Sequence, residues 1–189
     1  MLRNLPNLIT ALRMLLVVPL CWLIGDARYE GALVIAAVAG LSDAVDGYLA
    51  KRYGWQSWLG GILDPIADKL LLMAGFLWLA FAGDVPAWLA VLVIGRDLVI
   101  VGGAVAYYYL IGRFDAAPTL LSKLTTVVQI VFVLGELVRL SDLVEMPDAA
   151  REAAIAVTAL LTLASGVHYV VVWSARAWQH AHARERRQA

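Results

Sequence analysis

From Gly61 to Phe81 the chain reads GILDPIADKLLLMAGFLWLAF. A helix rises about 1.5 Å per residue, so a stretch of this length reaches across a hydrocarbon core of about 30 Å. Its apolar residues run on without the alternation that a membrane β-strand requires, and the reading is a transmembrane helix. Two acids interrupt it near the start. Asp64 and Asp68 are four apart and therefore share one helix face. An apolar span with two carboxylates at one end sets both the fold and the place to look for chemistry.

The rest of the sequence agrees with this stretch. Of 189 residues, 62% are hydrophobic and 16% charged, and the mean hydropathy is +0.77. Soluble domains have about 45–50% apolar and about 25% charged residues, so a chain of this size would leave much apolar surface in water. Disorder, a collagen-like repeat and a coiled coil are excluded, and a lone cysteine, Cys21, excludes a disulfide scaffold. The 15 basic and 15 acidic residues cancel with no dominant basic block, so no nucleic-acid partner is expected. Five more spans are expected, at about 5–24, 31–50, 85–111, 119–138 and 149–173. Gly25-Asp26, Lys51 to Gly60, Gly83-Asp84, Gly112 to Pro118 and Ser141 to Pro147 punctuate them. The expectation is an all-α polytopic membrane protein of six transmembrane helices. A single integral membrane domain over 1–189 is expected, with a cytoplasmic basic tail at about 175–189. The first span opens with Asn4, Asn7, Thr10 and Arg13 and is too polar there for a cleavable signal peptide.

Zero net charge hides an asymmetry between alternate loops. Arg3, Lys51, Arg52, Arg113, Arg176, Arg184, Arg186 and Arg187 fall on one side, against Asp115 and Glu185. Asp26, Glu30, Asp84, Asp142, Glu145, Asp148 and Glu152 fall on the other, against Arg28, Arg139 and Arg151. The positive-inside rule places both termini in the cytoplasm, and an even number of spans likewise puts them on one side.

Charges inside spans are costly and mark function by default. Asp43 and Asp46, three apart at the cytoplasmic end of the second span, share a face. The connection to the third span brings Asp64 and Asp68 to the same membrane side. Four carboxylates in one small volume repel unless protons or cations intervene. Mg²⁺ or Mn²⁺ suits such hard oxygen donors, and a pair of ions is a recurrent device in phosphoryl transfer. The plainer alternative is ion pairing with Lys51, Arg52 or Lys69; it serves for one acid better than for four at this spacing. A transporter with buried carboxylates is the rival outside enzymology, but its acids would be spread through the membrane depth. Gly47 and Gly60 can let a phosphate approach backbone that a side chain would cover, with the small Ala50 beside that approach.

Together these residues read Asp43-x2-Asp46-Gly47-x2-Ala50-Lys51-x8-Gly60-x3-Asp64-x3-Asp68. This resembles the signature D-x2-D-G-x2-A-R-x8-G-x3-D-x3-D of the CDP-alcohol phosphatidyltransferases, departing only at Lys51, where the family has arginine. Lysine keeps the charge but lacks the fork that holds phosphate bidentately. The resemblance implies a six-helix membrane enzyme of that fold, usually a homodimer, which moves a phosphatidyl group from CDP-diacylglycerol to an alcohol and releases CMP. It implies metal ligation by Asp43, Asp46, Asp64 and Asp68, with Asp68 also the catalytic base. It places Asp43, Asp46, Gly47, Ala50, Lys51, Gly60 and Asp64 around the CDP group.

Further stretches bear on the alcohol. Leu5-Pro6-Asn7-Leu8-Ile9-Thr10-x2-Arg13 and Asp64-Pro65-x-Ala67-Asp68-Lys69 are similar to both phosphatidylglycerophosphate synthases and CMP-forming cardiolipin synthases. Arg96-Asp97 and Pro118-Thr119-x2-Ser122-Lys123-x-Thr125-x3-Gln129 look closer to the latter. The implied acceptor is phosphatidylglycerol, giving cardiolipin, with glycerol 3-phosphate as the alternative. Arg96, Lys123 and Arg13 are the candidate cations for an acceptor phosphate. Arg96 has a plainer reading as the partner of Asp97, and Arg13 as a snorkelling interfacial residue. His168 reads as a packing residue, while His180 and His182 belong to a tail suited to lipid phosphates. Trp55, Trp58, Trp173 and Trp178 fit interfacial belts. No Arg- and Ser-rich presequence precedes the first span, so a bacterial inner membrane is expected.

Overall fold

The computed structural model describes residues 5–53, 58–110 and 119–188. The side chains of 5–8, Ala44, Asp46, 49–51, Tyr53, 58–62, 104–110 and 175–188 lie outside that description. Among the described residues there are six helices and no strand. They are α1 (Leu5–Gly25), α2 (Tyr29–Tyr53), α3 (Trp58–Ala82), α4 (Ala87–Leu110), α5 (Leu120–Leu140) and α6 (Asp148–Gln188). Each matches one expected span. Two differences are informative. Gly60, expected in the break, lies within the first turn of α3, and Lys51 lies within the last turn of α2. The basic tail continues α6 as one helix of 41 residues rather than following it.

Among the described residues, three helical segments are long and apolar enough to cross a membrane, Leu63–Ala82, Leu120–Leu140 and Asp148–Ser174, with a shorter apolar segment at Ile9–Gly25. The α2 helix carries Glu30, Asp43, Asp46, Lys51 and Arg52, a charge load that belongs to the site it builds. Exposure is inverted relative to a water-soluble protein: Leu15, Phe81 and Leu120 are 66%, 75% and 85% exposed. Such side chains are at ease against lipid.

Two compact units make up the chain, 1–90 with 130–148, and 91–129 with 149–189. In the first, α1 packs on α2 and α3. Buried Ala32, Ala36 and Ala39 recur along one face of α2, and such small residues let helix backbones approach. Phe76 and Phe132 stack with ring centroids 5.7 Å apart, and a Cβ added at Gly75 would meet Val133 Cγ1 at 3.2 Å. Helices α1 and α3 both end in Schellman caps. In the first, Arg28 N bonds to Leu23 O at 2.8 Å and Ala27 N to Ile24 O at 3.1 Å. In the second, Asp84 N bonds to Leu79 O at 2.9 Å and Gly83 N to Ala80 O at 3.2 Å. The left-handed position is Ala27 (φ 54°) in one and Gly83 (φ 85°) in the other.

The second unit is tied by polar side chains between helices, as suits a lipid setting. Thr119 caps α5 by accepting from Ser122 N at 3.2 Å. Thr125 Oγ1 donates to Leu161 O at 3.2 Å, and Gln129 Nε2 donates to Thr162 Oγ1 at 3.0 Å.

Candidate active site

Two of the three helices that build the site carry its acids, Asp43 on α2 and Asp64 with Asp68 on α3. The third, α1, supplies the groups that hold them. Thr10 and Arg13 are three apart and share a face; their exposures are 0% and 1%. Arg13 Nη1 donates to Asp68 Oδ1 at 2.5 Å and forms an ion pair with Asp43 Oδ1 at 2.7 Å. Thr10 Oγ1 donates to Asp64 Oδ1 at 2.5 Å. One face of α1 therefore orders a carboxylate from each of two helices with a cation and a third with a hydroxyl.

The buried cation and its partners differ in access. The Asp43 and Asp68 side chains are 44% and 46% exposed, so the guanidinium sits inside while the carboxylates keep lone pairs open outward. The described acids offer only oxygen donors, the kind that Mg²⁺ and Mn²⁺ prefer. Among the described residues no group of three His, Cys, Asp or Glu side chains is gathered closely enough to ligate a metal by itself; Asp46 lies outside the described side chains. Arg13, Asp43 and Asp68 also line a cavity of about 530 Å³ whose other walls are apolar, among them Leu20, Ala36, Leu72 and Val133. A Cβ added at Gly47 would have no heavy atom within 4 Å. Packing does not demand glycine there, and the open space beside its backbone suits a ligand.

The remaining expected site residues divide into two sets. Ala50, Lys51 and Gly60 lie on the helices bearing the acids, but their surroundings are outside the described residues. Arg96 belongs to the second unit and is buried with Asp97, at 5% and 4% exposure. Its Nη1 donates to Asp97 Oδ1 at 2.6 Å, and its Nη2 to Ser122 Oγ at 2.7 Å and Ser165 Oγ at 2.6 Å. The ion-pair reading of Arg96 is thus realised, with two hydroxyls added. Lys123 is exposed in the first turn of α5. His168 is exposed beside Tyr169 at 6.4 Å between ring centroids. Trp55 and the side chains of Trp58, Trp178, His180 and His182 lie outside the described residues, as do Arg3, Arg113 and Asp115.

Sequence reasoning did not assign Thr10 to the site and read Arg13 toward an acceptor phosphate or the interface. The signal was present as two polar residues three apart in an apolar run. The partner of such a face is decided only by packing.

Three carboxylates are thus held by one face of α1 in an apolar helical frame, beside an apolar cavity. Residues 3–164 match the profile of the CDP-alcohol phosphatidyltransferases, and the chain belongs to that family. It is an integral membrane transferase of phospholipid biosynthesis. The chain is 34% identical over 173 residues to a Mycobacterium tuberculosis protein named "Probable phosphatidylglycerophosphate synthase", covering 88% of this chain and 80% of that one. It is 32% identical over 150 residues to the "Cardiolipin synthase (CMP-forming)" of Rattus norvegicus, covering 71% of this chain and 50% of that one. To the protein of the same name from Streptomyces coelicolor it is 36% identical over 108 residues, 52% of this chain and 50% of that one. It thus spans about half the length of either cardiolipin synthase.

Proposed function

We propose that the protein transfers the phosphatidyl group of CDP-diacylglycerol to phosphatidylglycerol, giving cardiolipin and CMP. The observation that carries this reading is the acid cluster of α2 and α3 opening on an apolar cavity, a setting for a charged headgroup joined to acyl chains. Asp43, Asp46, Asp64 and Asp68 hold two divalent cations, Mg²⁺ or Mn²⁺. Such ions would supply positive charge to the diphosphate and to the departing CMP. Gly47, Ala50, Lys51 and Gly60 line the CDP pocket with the first three acids. Asp68 accepts the proton of the attacking hydroxyl as its oxygen bonds to phosphorus and the bond to CMP breaks. Lys51 supplies a point charge to phosphate where the family signature has a forked guanidinium.

The chain works as a single catalytic domain and a homodimer, as the family resemblance implies. Loop charge supports a site and termini on the cytoplasmic face of a bacterial inner membrane. Lys123 is the cation proposed to meet the acceptor phosphate, since the donors of buried Arg96 are bonded to Asp97, Ser122 and Ser165.

A second reading, phosphatidylglycerophosphate synthesis from glycerol 3-phosphate, is favoured by the coverage of the mycobacterial relative. Product analysis decides between them. Purified protein receives CDP-diacylglycerol, Mn²⁺ and both acceptors together. Cardiolipin with stoichiometric CMP is expected; phosphatidylglycerophosphate without cardiolipin overturns the acceptor and leaves the family standing. Lys123→Gln provides a further check, since it harms use of glycerol 3-phosphate more than use of phosphatidylglycerol.

A further inference from the structure

We infer that Arg96 is a positioning residue, which fixes the first turn of α5 through Ser122 and so holds the neighbouring Lys123 in place for the acceptor phosphate. The inference rests on the proposed role of Lys123. Its own observation is the way one buried guanidinium is shared. Arg96 lies on α4 and is 5% exposed. Its Nη2 donates to Ser122 Oγ on α5 at 2.7 Å and to Ser165 Oγ on α6 at 2.6 Å. Its Nε donates to Ser165 Oγ at 3.2 Å, while Nη1 is taken by Asp97 at 2.6 Å. A planar fork can serve these partners in fixed directions, which an ammonium point charge does not. All four residues belong to the second unit.

The start of α5 is the element that this arrangement controls. Thr119 Oγ1 accepts from Ser122 N at 3.2 Å, and Lys123 N bonds to Thr119 O at 3.1 Å, which closes the first turn. That turn is also tied from outside the helix, by Arg96 at Ser122 and by Tyr169 of α6, whose hydroxyl accepts from Thr119 N at 3.4 Å. Lys123 is exposed, and a long flexible side chain meets a fixed point reliably only from a fixed backbone. Stability alone does not call for a charge at Arg96. Well-packed apolar side chains often replace a buried ion pair without loss of stability. The polar cluster adds direction: hydrogen bonds set the rotation and height of α5 against α4 and α6.

The test uses the full chain in mixed micelles, with CMP release measured as phosphatidylglycerol, glycerol 3-phosphate and CDP-diacylglycerol are each titrated. Ser122→Ala removes one partner and leaves Arg96 bonded to Asp97 and Ser165. It should raise KM for the acceptor that the enzyme uses about tenfold, as loss of one hydrogen bond to a charged group does, with kcat and KM for CDP-diacylglycerol within about twofold of wild type. Ser122→Thr keeps the hydroxyl and should recover most of the loss. Lys123→Gln should raise the same KM, and adding Ser122→Ala to it should make the enzyme no worse, because both changes act through one contact. Three results overturn the inference and leave Lys123 as the acceptor's cation. They are a wild-type acceptor KM in Ser122→Ala, an equal loss for both substrates with a lower melting temperature, and additive effects in the combined variant. An unchanged acceptor KM in Lys123→Gln removes the reading of Lys123 and the inference with it.

Discussion

Arg13 and Asp68, 55 positions apart, are joined by a 2.5 Å hydrogen bond between α1 and α3. The same guanidinium nitrogen reaches Asp43 on α2, so one buried cation ties three helices at a single point. Neither side of this arrangement is stable alone. An unpaired guanidinium at 1% exposure would be strongly disfavoured, and so would carboxylates left facing each other. The chemistry of the site and the packing of the first unit are therefore one problem.

The acids come first. Asp43→Asn, Asp46→Asn, Asp64→Asn and Asp68→Asn should each lower CMP release by orders of magnitude, because each removes a charged oxygen from the set proposed to hold metal and substrate. Folding should persist, as loss of one like charge relieves repulsion. CMP release from CDP-diacylglycerol, with melting as the control, checks this, and a near-normal rate for Asp46→Asn would sink the assignment.

Thr10 is predicted to act through Asp64. Thr10→Val keeps the shape and removes the donor of the bond to Asp64 Oδ1. Groups that orient ligands in this way are worth roughly 10–100-fold in metal affinity or activity. Thr10→Ser retains the hydroxyl and should recover most of the loss. Mn²⁺ titrations of the three proteins measure it; equal curves would reduce Thr10 to a packing residue.

A pH effect is expected at the start of α2. Tyr29 donates to Asp84 Oδ2 at 2.7 Å. Burial first, then the hydrogen bond and charge of Asp84, push the phenol up to about 12 from its usual 10. The folded state thus favours the protonated ring. That contribution is complete below pH 10 and disappears as pH rises through 12. The stability difference between wild type and Tyr29→Phe should therefore be constant at lower pH and vanish across this window. Melting curves in detergent from pH 9 to 12.5 would show it, and a difference that grows with pH would contradict it.

The two Schellman caps make opposite predictions. A Cβ at Gly83 meets no atom within 4 Å, yet its φ is 85°. Gly83→Ala should then destabilise by about 1 kcal/mol through backbone strain alone. Ala27 already bears that strain at φ 54°, and Ala27→Gly should leave stability equal or slightly raised. Paired thermal melts test the contrast.

Helix positions were legible from the sequence because they depend on local chemistry. The apolar run from Leu5 to Ile24 became α1, ending at Gly25, and the turn residues Gly83-Asp84 closed α3. The far end of α6 was not legible. The change from apolar to polar after Trp173 marks where the bilayer ends, and a helix needs only its own backbone bonds to continue to Gln188. The second unit shows a similar division. Arg96 beside Asp97 announced an ion pair, but nothing local indicated that Ser165, 69 residues away, would share it.

The sequence by itself determined the solvent, the six helices, the spacing that puts Asp43 near Asp46 and Asp64 near Asp68, and through that spacing the family. These follow from period, length and composition, which act over a few residues at a time. Only the tertiary structure decided that Thr10 and Arg13 face those acids, that one guanidinium serves two helices, and that the acids open on an apolar cavity. A helical period says which residues share a face, while the partner of that face depends on how whole helices pack to keep their charges satisfied away from water.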